Sequence, residues 1–288
     1  MSSVLERGLA ILELLSENAD GLSVGTIAAR LDLPPSAAHR LLNELARFGY
    51  VRQDRAQGDY SLTIRLAAMG LNFLGQSGVT DVAQPILDRL AQTSGELVRL
   101  SVVDERVLVW VAIAQGSASG LRYDPGREQG VVLHLASTAG GQAYLSTLTD
   151  EEALMRVAEQ GFAPKTQVPG PNAPQTAGDL LDILDETRKR GHSIAIDSYV
   201  CGMAAMAVPV RYGHQDPVIG AVSIAGPAAR LTRERMAALA DSLHAAAAEI
   251  GQASRASGFF KRARRLLEKA GPHAGRRLVQ TPALPEPL

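Results

Sequence analysis

Apolar residues recur at helical spacing in three successive stretches near the start of the chain. The first stretch, residues 4–16, predicts an amphipathic helix. The second follows Ser23, a residue type that caps helix N-termini, and should end at 32–35, because the residue before a proline disfavours helical backbone. The third begins at Pro35, since the first turn of a helix tolerates a missing N–H. The pattern therefore predicts three helices, the last two separated by a tight turn.

The third helix is predicted to have one apolar face and one polar face. Its apolar stripe, expected to pack on the preceding helix, consists of Ala38, Leu41, Leu42, Leu45 and Phe48. Its polar stripe consists of Ser36, Arg40, Asn43 and Arg47, and Gly49 should end the helix. Arg pairs with guanine and Asn with adenine in a major groove, whereas Ser and His reach phosphates or base edges. This arrangement predicts a DNA-binding helix-turn-helix; the alternative is an ordinary solvated helix face.

A hairpin is predicted directly after the third helix. Two short strands, at residues 50–54 and 60–62, flank a turn that contains Gly58. A hairpin in this position is typical of a wing beside a helix-turn-helix, although a charged surface hairpin is the alternative. The residues that we expect on the DNA side of the helix and the hairpin are Ser36, Ala37, His39, Arg40, Asn43, Arg47, Arg52, Arg55 and Gln57.

The rest of the chain mixes helical and strand-like runs. Helices are predicted at residues 64–77, 84–92, 150–159, 178–190 and 232–253, with a further helix start within 133–148. Strands are predicted at 97–103, 107–114 and within 193–226, where a turn is expected at 212–217. A Gly-rich loop at 115–130 and a Pro-rich loop at 161–176 separate these elements. Strands mixed with helices and hairpin-like turns predict an α+β domain on an antiparallel sheet.

Composition and charge limit the possible functions. The 288 residues are 46% hydrophobic and 20% charged, which fits a two-domain globular protein without a long apolar run for a membrane span. No signal-peptide pattern is visible, so a cytoplasmic location is expected. The net charge is −1, and residues 1–75 carry seven Arg and no Lys against eight Asp or Glu. DNA binding would therefore depend on locally placed arginines and on duplication of the module in an oligomer.

Catalytic signatures are absent from the sequence. It contains no Gly-x-Ser-x-Gly elbow and no glycine-rich phosphate-binding motif, and its six histidines lack metal-ligand spacing. Cys201 is the single cysteine, which excludes an internal disulfide and a cysteine-based zinc site. We therefore expect no enzyme activity, no cofactor and no metal.

Three separated motifs resemble the IclR family of transcriptional regulators. They are the opening helix at 4–12, the Ser-Ala-Ala-His-Arg-Leu-Leu recognition motif at 36–42, and a C-terminal signature at 191–197, 202–210 and 220–227. The resemblance covers roughly residues 4–253. It implies a winged helix-turn-helix in residues 1–63, a linker helix in 64–78 and a GAF-like effector-binding domain in 79–253. Residues 254–288 then remain as a basic amphipathic stretch and a tail expected to be disordered.

The resemblance also implies partners. Members of the family form homodimers, often paired into homotetramers, on palindromic double-stranded DNA operators, and they respond to a small organic acid or aromatic compound. The alternative is a ligand-independent DNA-binding scaffold whose second domain serves only oligomerisation. No membrane association is expected.

The effector site is carried over from the family onto a loop and three strands of the second domain. The positions are Ala139, Gly140, Ala195, Ala205, Ser223 and Ala225. Some members that bind small polar acids have Asp, Cys or Ser where this chain has Ala195, Ala205 and Ala225. Loss of these polar groups favours a larger, more apolar effector, such as an aromatic carboxylate.

Several other residues are candidates for the effector site. Arg99 interrupts an apolar strand and could bind a carboxylate; the alternative places Leu97, Arg99 and Ser101 on the solvent face, opposite a core face of Val98, Leu100 and Val102. Arg122 is a similar candidate in the preceding loop. Apolar walls, or plain core, are expected from Trp110, Tyr199, Met203 and Met206. Asp197 takes the place of the family's usual acidic residue, either at the ligand or bracing a loop.

Overall fold

A computed structural model describes residues 3–55, 58–104, 106–116, 130–163, 168–212, 217–257 and 260. The chain divides into two compact units, with the boundary between Gln76 and Ser77. The predictions that fall outside the described residues include Gln57, Arg122, most of the Gly-rich loop at 115–130, most of the turn at 212–217 and everything predicted after Phe260. Among the described helices, none is long and apolar enough to cross a membrane.

The first unit contains helices and one small hairpin, as predicted. Its elements are α1 (Val4–Ser16), α2 (Val24–Arg30), α3 (Pro35–Arg47), β1 (Val51–Gln53), β2 (Tyr60–Leu62) and α4 (Ile64–Ser77). Ser23 caps α2, because its hydroxyl accepts the N–H of Thr26 at 3.2 Å. The turn into α3 places Asp32 in the left-handed region at φ 49°, which a short polar side chain tolerates better than most. Gly49, at φ 76°, ends α3.

The core of the first unit lies between α1, α2, α3 and the hairpin. Its fully buried side chains include Ile11, Leu15, Ile27, Leu42 and Tyr60. The predicted apolar stripe of α3 is buried at Ala38, Leu41 and Leu42 and partly buried at Leu45, but the prediction was wrong for Phe48. Phe48 is the C-cap residue, so it leaves the helical stripe and is 54% exposed.

The second unit is an α+β domain on an antiparallel sheet. Its elements are α5 (Val79–Ser94), β3 (Leu97–Asp104), β4 (Val107–Gln115), α6 (Ala139–Leu145), α7 (Asp150–Gln160), α8 (Ala177–Arg190), β5 (Ser193–Ile196), β6 (Met203–Arg211), β7 (Val218–Pro227) and α9 (Arg233–Ala253). Two boundaries differ from the prediction. Helix α5 begins at Val79 rather than 84, with Pro85 inside it, and the strand-like region 193–226 contains an additional break at 197–202.

The five strands are ordered β4-β3-β7-β6-β5, and each neighbouring pair is antiparallel. Side chains alternate between the two faces of the sheet. One face packs against α5 and α9, and its buried residues include Val98, Leu100, Met206, Val222 and Ile224. The prediction that Val98 and Leu100 face the core is thus confirmed, and Met206 belongs to this core.

The opposite face of the sheet is covered as well. Leu97, Arg99 and Ser101 are only 1%, 6% and 2% exposed, so the alternative that placed them on a solvent face was wrong. Helix α6 contacts β5, β6 and β7 on this side, and small residues allow a close approach. A Cβ on Gly141 would lie 2.3 Å from the Leu135 carbonyl oxygen, which explains why a glycine is needed there.

Candidate nucleic-acid interface and ligand cavity

Helix α3 presents its polar stripe to solvent. Among the predicted contacts of the helix, all the polar side chains are exposed and Ala37 is half-buried: Ser36, His39, Arg40, Asn43 and Arg47 are the exposed residues. The opposite face is fixed by the buried Leu41 and Leu42. The helix therefore has the amphipathic character that a recognition helix requires, with donor-rich side chains on its free side.

Short-range contacts organise this stripe. The amide nitrogen of Asn43 lies 3.3 Å from Nδ1 of His39, one helical turn earlier. The guanidinium of Arg47 lies 4.9 Å from the centroid of the Phe48 ring, so the exposed Phe48 supports a potential DNA contact. Arg40 is exposed as well. Arg40 can therefore donate its guanidinium N–H groups to a guanine edge.

The hairpin carries the second set of predicted contacts. Arg52 donates from Nε to the Ser61 hydroxyl at 3.3 Å and lies 3.6 Å from the Asp54 carboxylate. Both partners of this ion pair are exposed, so water screens it and a phosphate can replace the carboxylate at little cost. Arg55 is also exposed.

A small cavity opens in the second unit, on the sheet face covered by α6. It is lined by Arg99, Thr138, Ala139, Ala195, Tyr199, Val200, Met203, Ala204, Ala205 and Ala225. Six of the predicted effector residues are in this set: Arg99, Ala139, Ala195, Tyr199, Ala205 and Ala225. The cavity therefore brings together residues from four strands and from the segments before α6 and after β5.

A row of alanines forms one wall. Ala195 pairs with Ala205 between β5 and β6, and Ala205 pairs with Ala225 between β6 and β7. Residues opposite one another in antiparallel strands point to the same face. Three methyl groups therefore lie side by side, and they offer a flat apolar surface without hydrogen-bonding groups.

Arg99 contributes a positively charged side chain to the lining of the cavity. It is 6% exposed, and among the described residues that line the cavity it is the one with an ionic side chain. Its guanidinium carbon lies 4.5 Å from the centroid of the Trp110 ring, within the range of a cation–π contact. The Cα of Arg99 pairs with that of Ser223, which places both residues at the β3–β7 junction.

The turn at 197–202 contributes Tyr199 and Val200 to the cavity. The Tyr199 ring meets Trp110 edge-on, with a centroid distance of 6.0 Å. Asp197 sits at φ 50°, and its carboxylate accepts the N–H of Gly202 at 2.5 Å. Asp197 therefore braces the turn, and it is not among the residues that line the cavity.

The segment before α6 is held by hydrogen bonds around His134. Its Nε2 lies 3.1 Å from the Gly161 carbonyl oxygen, so Nε2 must carry the proton and Nδ1 accepts the Ser137 hydroxyl at 2.7 Å. Burial lowers the pKa of His134, although the bond to Gly161 opposes this effect. The Thr138 hydroxyl donates to the His134 carbonyl at 2.7 Å and accepts the N–H of Gly141. This neutral histidine thus fixes Thr138 at the cavity wall.

Four predicted effector residues lie around the cavity rather than in its lining. Trp110 packs under the Arg99 guanidinium, and Ser223 is the residue opposite Arg99 on β7. Gly140 lies in the first turn of α6, next to Leu133, and Asp197 braces the turn at 197–202. Met203, which was expected as an apolar wall or plain core, lines the cavity. Three lining residues were not predicted: Thr138, Val200 and Ala204. These three adjoin predicted residues in sequence, which is the signal that could have identified them.

Comparison with known proteins covers both units. The IclR helix-turn-helix domain matches residues 4–55, and the C-terminal domain of the bacterial transcriptional regulator IclR matches residues 71–252. The chain belongs to the IclR family. It is therefore a DNA-binding transcriptional regulator, and both the recognition of the family and the α+β class predicted from the sequence are confirmed.

Curated IclR-family relatives match nearly the whole chain. The acetate operon repressor of Salmonella typhimurium is 29% identical over 246 residues, which cover 85% of this chain and 88% of the relative. The HTH-type transcriptional repressor AllR of Salmonella paratyphi A is 30% identical over 255 residues, covering 88% and 90% of the two chains.

Solved IclR-family structures share the fold. An IclR regulator from Alicyclobacillus acidocaldarius matches with a TM-score of 0.73 at 22% identity and covers 88% of this chain and 99% of its own. An IclR homologue from Microbacterium hydrocarbonoxydans, solved in complex with 4-hydroxybenzoate, matches with a TM-score of 0.69 at 23% identity and covers 88% and 100%.

Proposed function

We propose that this IclR-family protein is an effector-responsive regulator of a catabolic operon. It binds a palindromic double-stranded DNA operator through α3 and the hairpin, and a small organic acid of the aromatic class sets its operator affinity. The observation that carries this proposal is the presence, in one chain, of an exposed Arg- and Asn-bearing helix face and a separate cavity with a buried arginine. The protein acts without catalysis, cofactor or metal.

The DNA contacts divide by chemistry. Arg40 and Asn43, at the middle of α3, read base edges, because their side chains match guanine and adenine in the major groove. Ser36, Arg47, Arg52 and Arg55 contact phosphates and fix the register. The near-neutral charge of the chain makes one such module a weak binder, so binding depends on two modules acting together.

A homodimer, alone or paired into a homotetramer, supplies the second module. The first unit exposes large apolar side chains on α1 and α4, including Leu5 at 71%, Ile64 at 79%, Leu71 at 67% and Phe73 at 55%. Exposed apolar clusters of this kind are typical of interaction surfaces. We propose that a second copy covers them and places two α3 helices on successive half-sites.

The cavity supports an acid effector. Arg99 brings a guanidinium to a lining that is otherwise mostly apolar, and a carboxylate is the best geometric match for guanidinium N–H donors. The 4-hydroxybenzoate bound to the Microbacterium homologue supports an aromatic acid for this chain as well. Effector binding shifts the population between two arrangements of the protein and changes operator affinity by the coupling free energy, typically about 1–3 kcal/mol.

The second candidate is a scaffold that binds DNA without any ligand. The buried Arg99 at an apolar cavity favours the sensor over this scaffold. A thermal-shift screen of the full-length protein against aliphatic and aromatic acids tests the choice. A sensor should gain about 2.7 kcal/mol of stability at a ligand concentration 100 times the Kd, whereas a scaffold should show no shift with any acid.

A further inference from the structure

We propose that the basic segment after Phe260 is a second, sequence-independent DNA contact, which binds phosphates beside the operator. The basic segment comprises residues 261–277. It lies beyond the part of the chain that matches the IclR family, which ends at residue 252. The inference goes beyond the proposed function, because it adds a contact that neither α3 nor the hairpin makes.

The charges of this chain are unevenly distributed. Of its 29 basic and 30 acidic residues, seven and two lie in residues 258–288, which leaves 22 basic and 28 acidic residues in the rest. The DNA-binding unit has seven Arg against eight acidic residues in residues 1–75. Attraction of a polyanion over a distance depends on the net charge of the surface that faces it. The C-terminal segment therefore holds the positive charge that the DNA-binding unit lacks.

Phe260 anchors the start of the basic segment. Its side chain is 2% exposed and belongs to the core that α5, α9 and the sheet enclose. The backbone N–H of Phe260 donates to the Ser257 hydroxyl at 3.4 Å, and the Ser257 N–H donates to the Ser254 carbonyl at 3.0 Å. The second unit thus holds the chain at the residue that precedes Lys261.

This anchor is close to the start of the second unit. A Cβ on Gly78, the residue before α5, would lie 3.8 Å from the Cα of Ser257. The boundary between the units falls between Gln76 and Ser77, only two residues earlier. The basic segment therefore begins near the point where the linker helix α4 ends.

The basic segment is long enough to reach DNA held by α3. Helix α4 has 14 residues and is about 21 Å long. The 17 residues at 261–277 span up to about 56 Å when extended. They can therefore extend beyond the length of α4. At the other end of α4, the Thr63 hydroxyl donates to the Gly49 carbonyl, directly after α3.

Double-stranded DNA suits the basic segment better than a membrane does. Guanidinium groups bind phosphates through paired N–H donors, and four basic residues open the segment: Lys261, Arg262, Arg264 and Arg265. Segments that bind membrane surfaces combine basic residues with aromatic or aliphatic side chains that enter the interface. Phe260 is buried in the core, and residues 261–288 contain no Phe, Tyr or Trp.

Fluorescence anisotropy of the full-length protein with promoter and shuffled duplexes, at several salt concentrations, tests the proposal. The variant that combines Lys261→Gln, Arg262→Gln, Arg264→Gln and Arg265→Gln should bind both duplexes at least about tenfold more weakly at low salt. The slope of log affinity against log salt should become shallower by up to about 3.6, because each lost phosphate contact contributes about 0.9. The ratio of promoter to shuffled affinity should stay the same, since phosphates carry no base sequence.

Two further full-length variants complete the test. Arg276→Gln combined with Arg277→Gln removes half as many charges and should change the slope by about half as much. Leu266→Ser combined with Leu267→Ser keeps every charge and should bind DNA as the wild type does. All these positions follow Phe260, so the variants should unfold at the wild-type temperature. If the fourfold variant does not fold, the Arg276 and Arg277 variant decides.

An unchanged affinity and salt slope after removal of the charges would overturn the proposal. Tighter DNA binding would also overturn it, because the segment would then be covering acidic surface of its own chain. Loss of promoter preference would mean that the segment reads bases instead. Charge-dependent binding to phosphatidylserine vesicles with an unchanged DNA slope would assign it to a membrane. Promoter preference of the wild type is measured in the same titrations, so failure of the proposed function is seen separately.

Discussion

The guanidinium carbon of Arg99 lies 4.5 Å from the centroid of the Trp110 ring. Trp110 is the single tryptophan of the chain and is 2% exposed, so its fluorescence reports on one buried place beside the cavity. Any ligand that binds Arg99 changes the charge seen by the indole. Ligand binding at Arg99 should therefore be measurable as a change in the fluorescence of Trp110.

We predict that saturating benzoate changes the intensity or the emission maximum of Trp110. The change should follow the binding curve measured by calorimetry and disappear in Arg99→Met. Arg106→Met, a control at an exposed arginine of the same unit, should respond as the wild type does. An unchanged emission spectrum at ligand saturation would mean that the acid binds away from Arg99.

The single cysteine offers a second reporter. Cys201 is exposed and lies in the turn between Val200 and Met203, which both line the cavity. A bound effector should stabilise this turn, so we predict that benzoate slows the reaction of Cys201 with a thiol reagent. Benzamide at the same concentration is the control. Identical modification rates with and without saturating benzoate would show that the effector does not stabilise the 197–202 turn.

His134 should make the second unit sensitive to acid. Burial lowers its pKa in the folded protein below the value of about 6.5 in the unfolded chain. The unfolded state therefore takes up the proton first, and the stability that neutral His134 provides is complete above pH 6.5 and is lost as pH falls through the folded pKa. The loss cannot exceed about 1.4 kcal/mol per pH unit for one histidine.

Urea unfolding monitored by Trp110 between pH 7.5 and 5 measures this effect. His134→Gln should flatten the dependence of the unfolding free energy on pH. Some slope should remain in His134→Gln, because burial, Arg190 and His244 lower the pKa of His192 too. Parallel curves for the wild type and His134→Gln would contradict the neutral-histidine account of this segment.

Arg40→Ala should weaken operator binding by about 1–3 kcal/mol, the usual cost of losing a bidentate base contact. The exposed position of Arg40 means that the variant should fold normally. Fluorescence anisotropy with the protein's own promoter fragment measures the loss, and Arg106→Ala, in the other unit, serves as control. Benzoate affinity should remain unchanged. An equal loss of operator affinity and benzoate affinity would contradict the assignment of DNA binding to the first unit and effector binding to the second.

Local patterns allowed much of this structure to be predicted. The stripe of α3 depends on helical periodicity alone, so its buried and exposed residues were correct up to Leu45. Phe48 was wrong because the point where a helix ends depends on its C-cap, and Gly49 follows only one residue later. Helix α5 was predicted too short because Pro85, which normally marks a first turn, lies inside it.

The cavity was predictable only in part. The alanine positions came from the resemblance to the IclR family, and the structure places them opposite one another on adjacent strands. The burial of Arg99 could not be read from β3, because it depends on coverage by segments some forty residues later in the chain. The turn at 197–202 was missed, since the left-handed conformation of Asp197 is set by its bond to Gly202 and not by a glycine at its own position.

The most direct test of the account is the affinity of the full-length protein for its own promoter, measured by anisotropy with and without an acid that binds the cavity. The account predicts tighter binding to the promoter than to a shuffled duplex of the same length, and a change of about 5- to 150-fold when the acid is added. Equal affinity for the two duplexes would contradict the account. So would an affinity for the promoter that stays the same when a saturating acid is added.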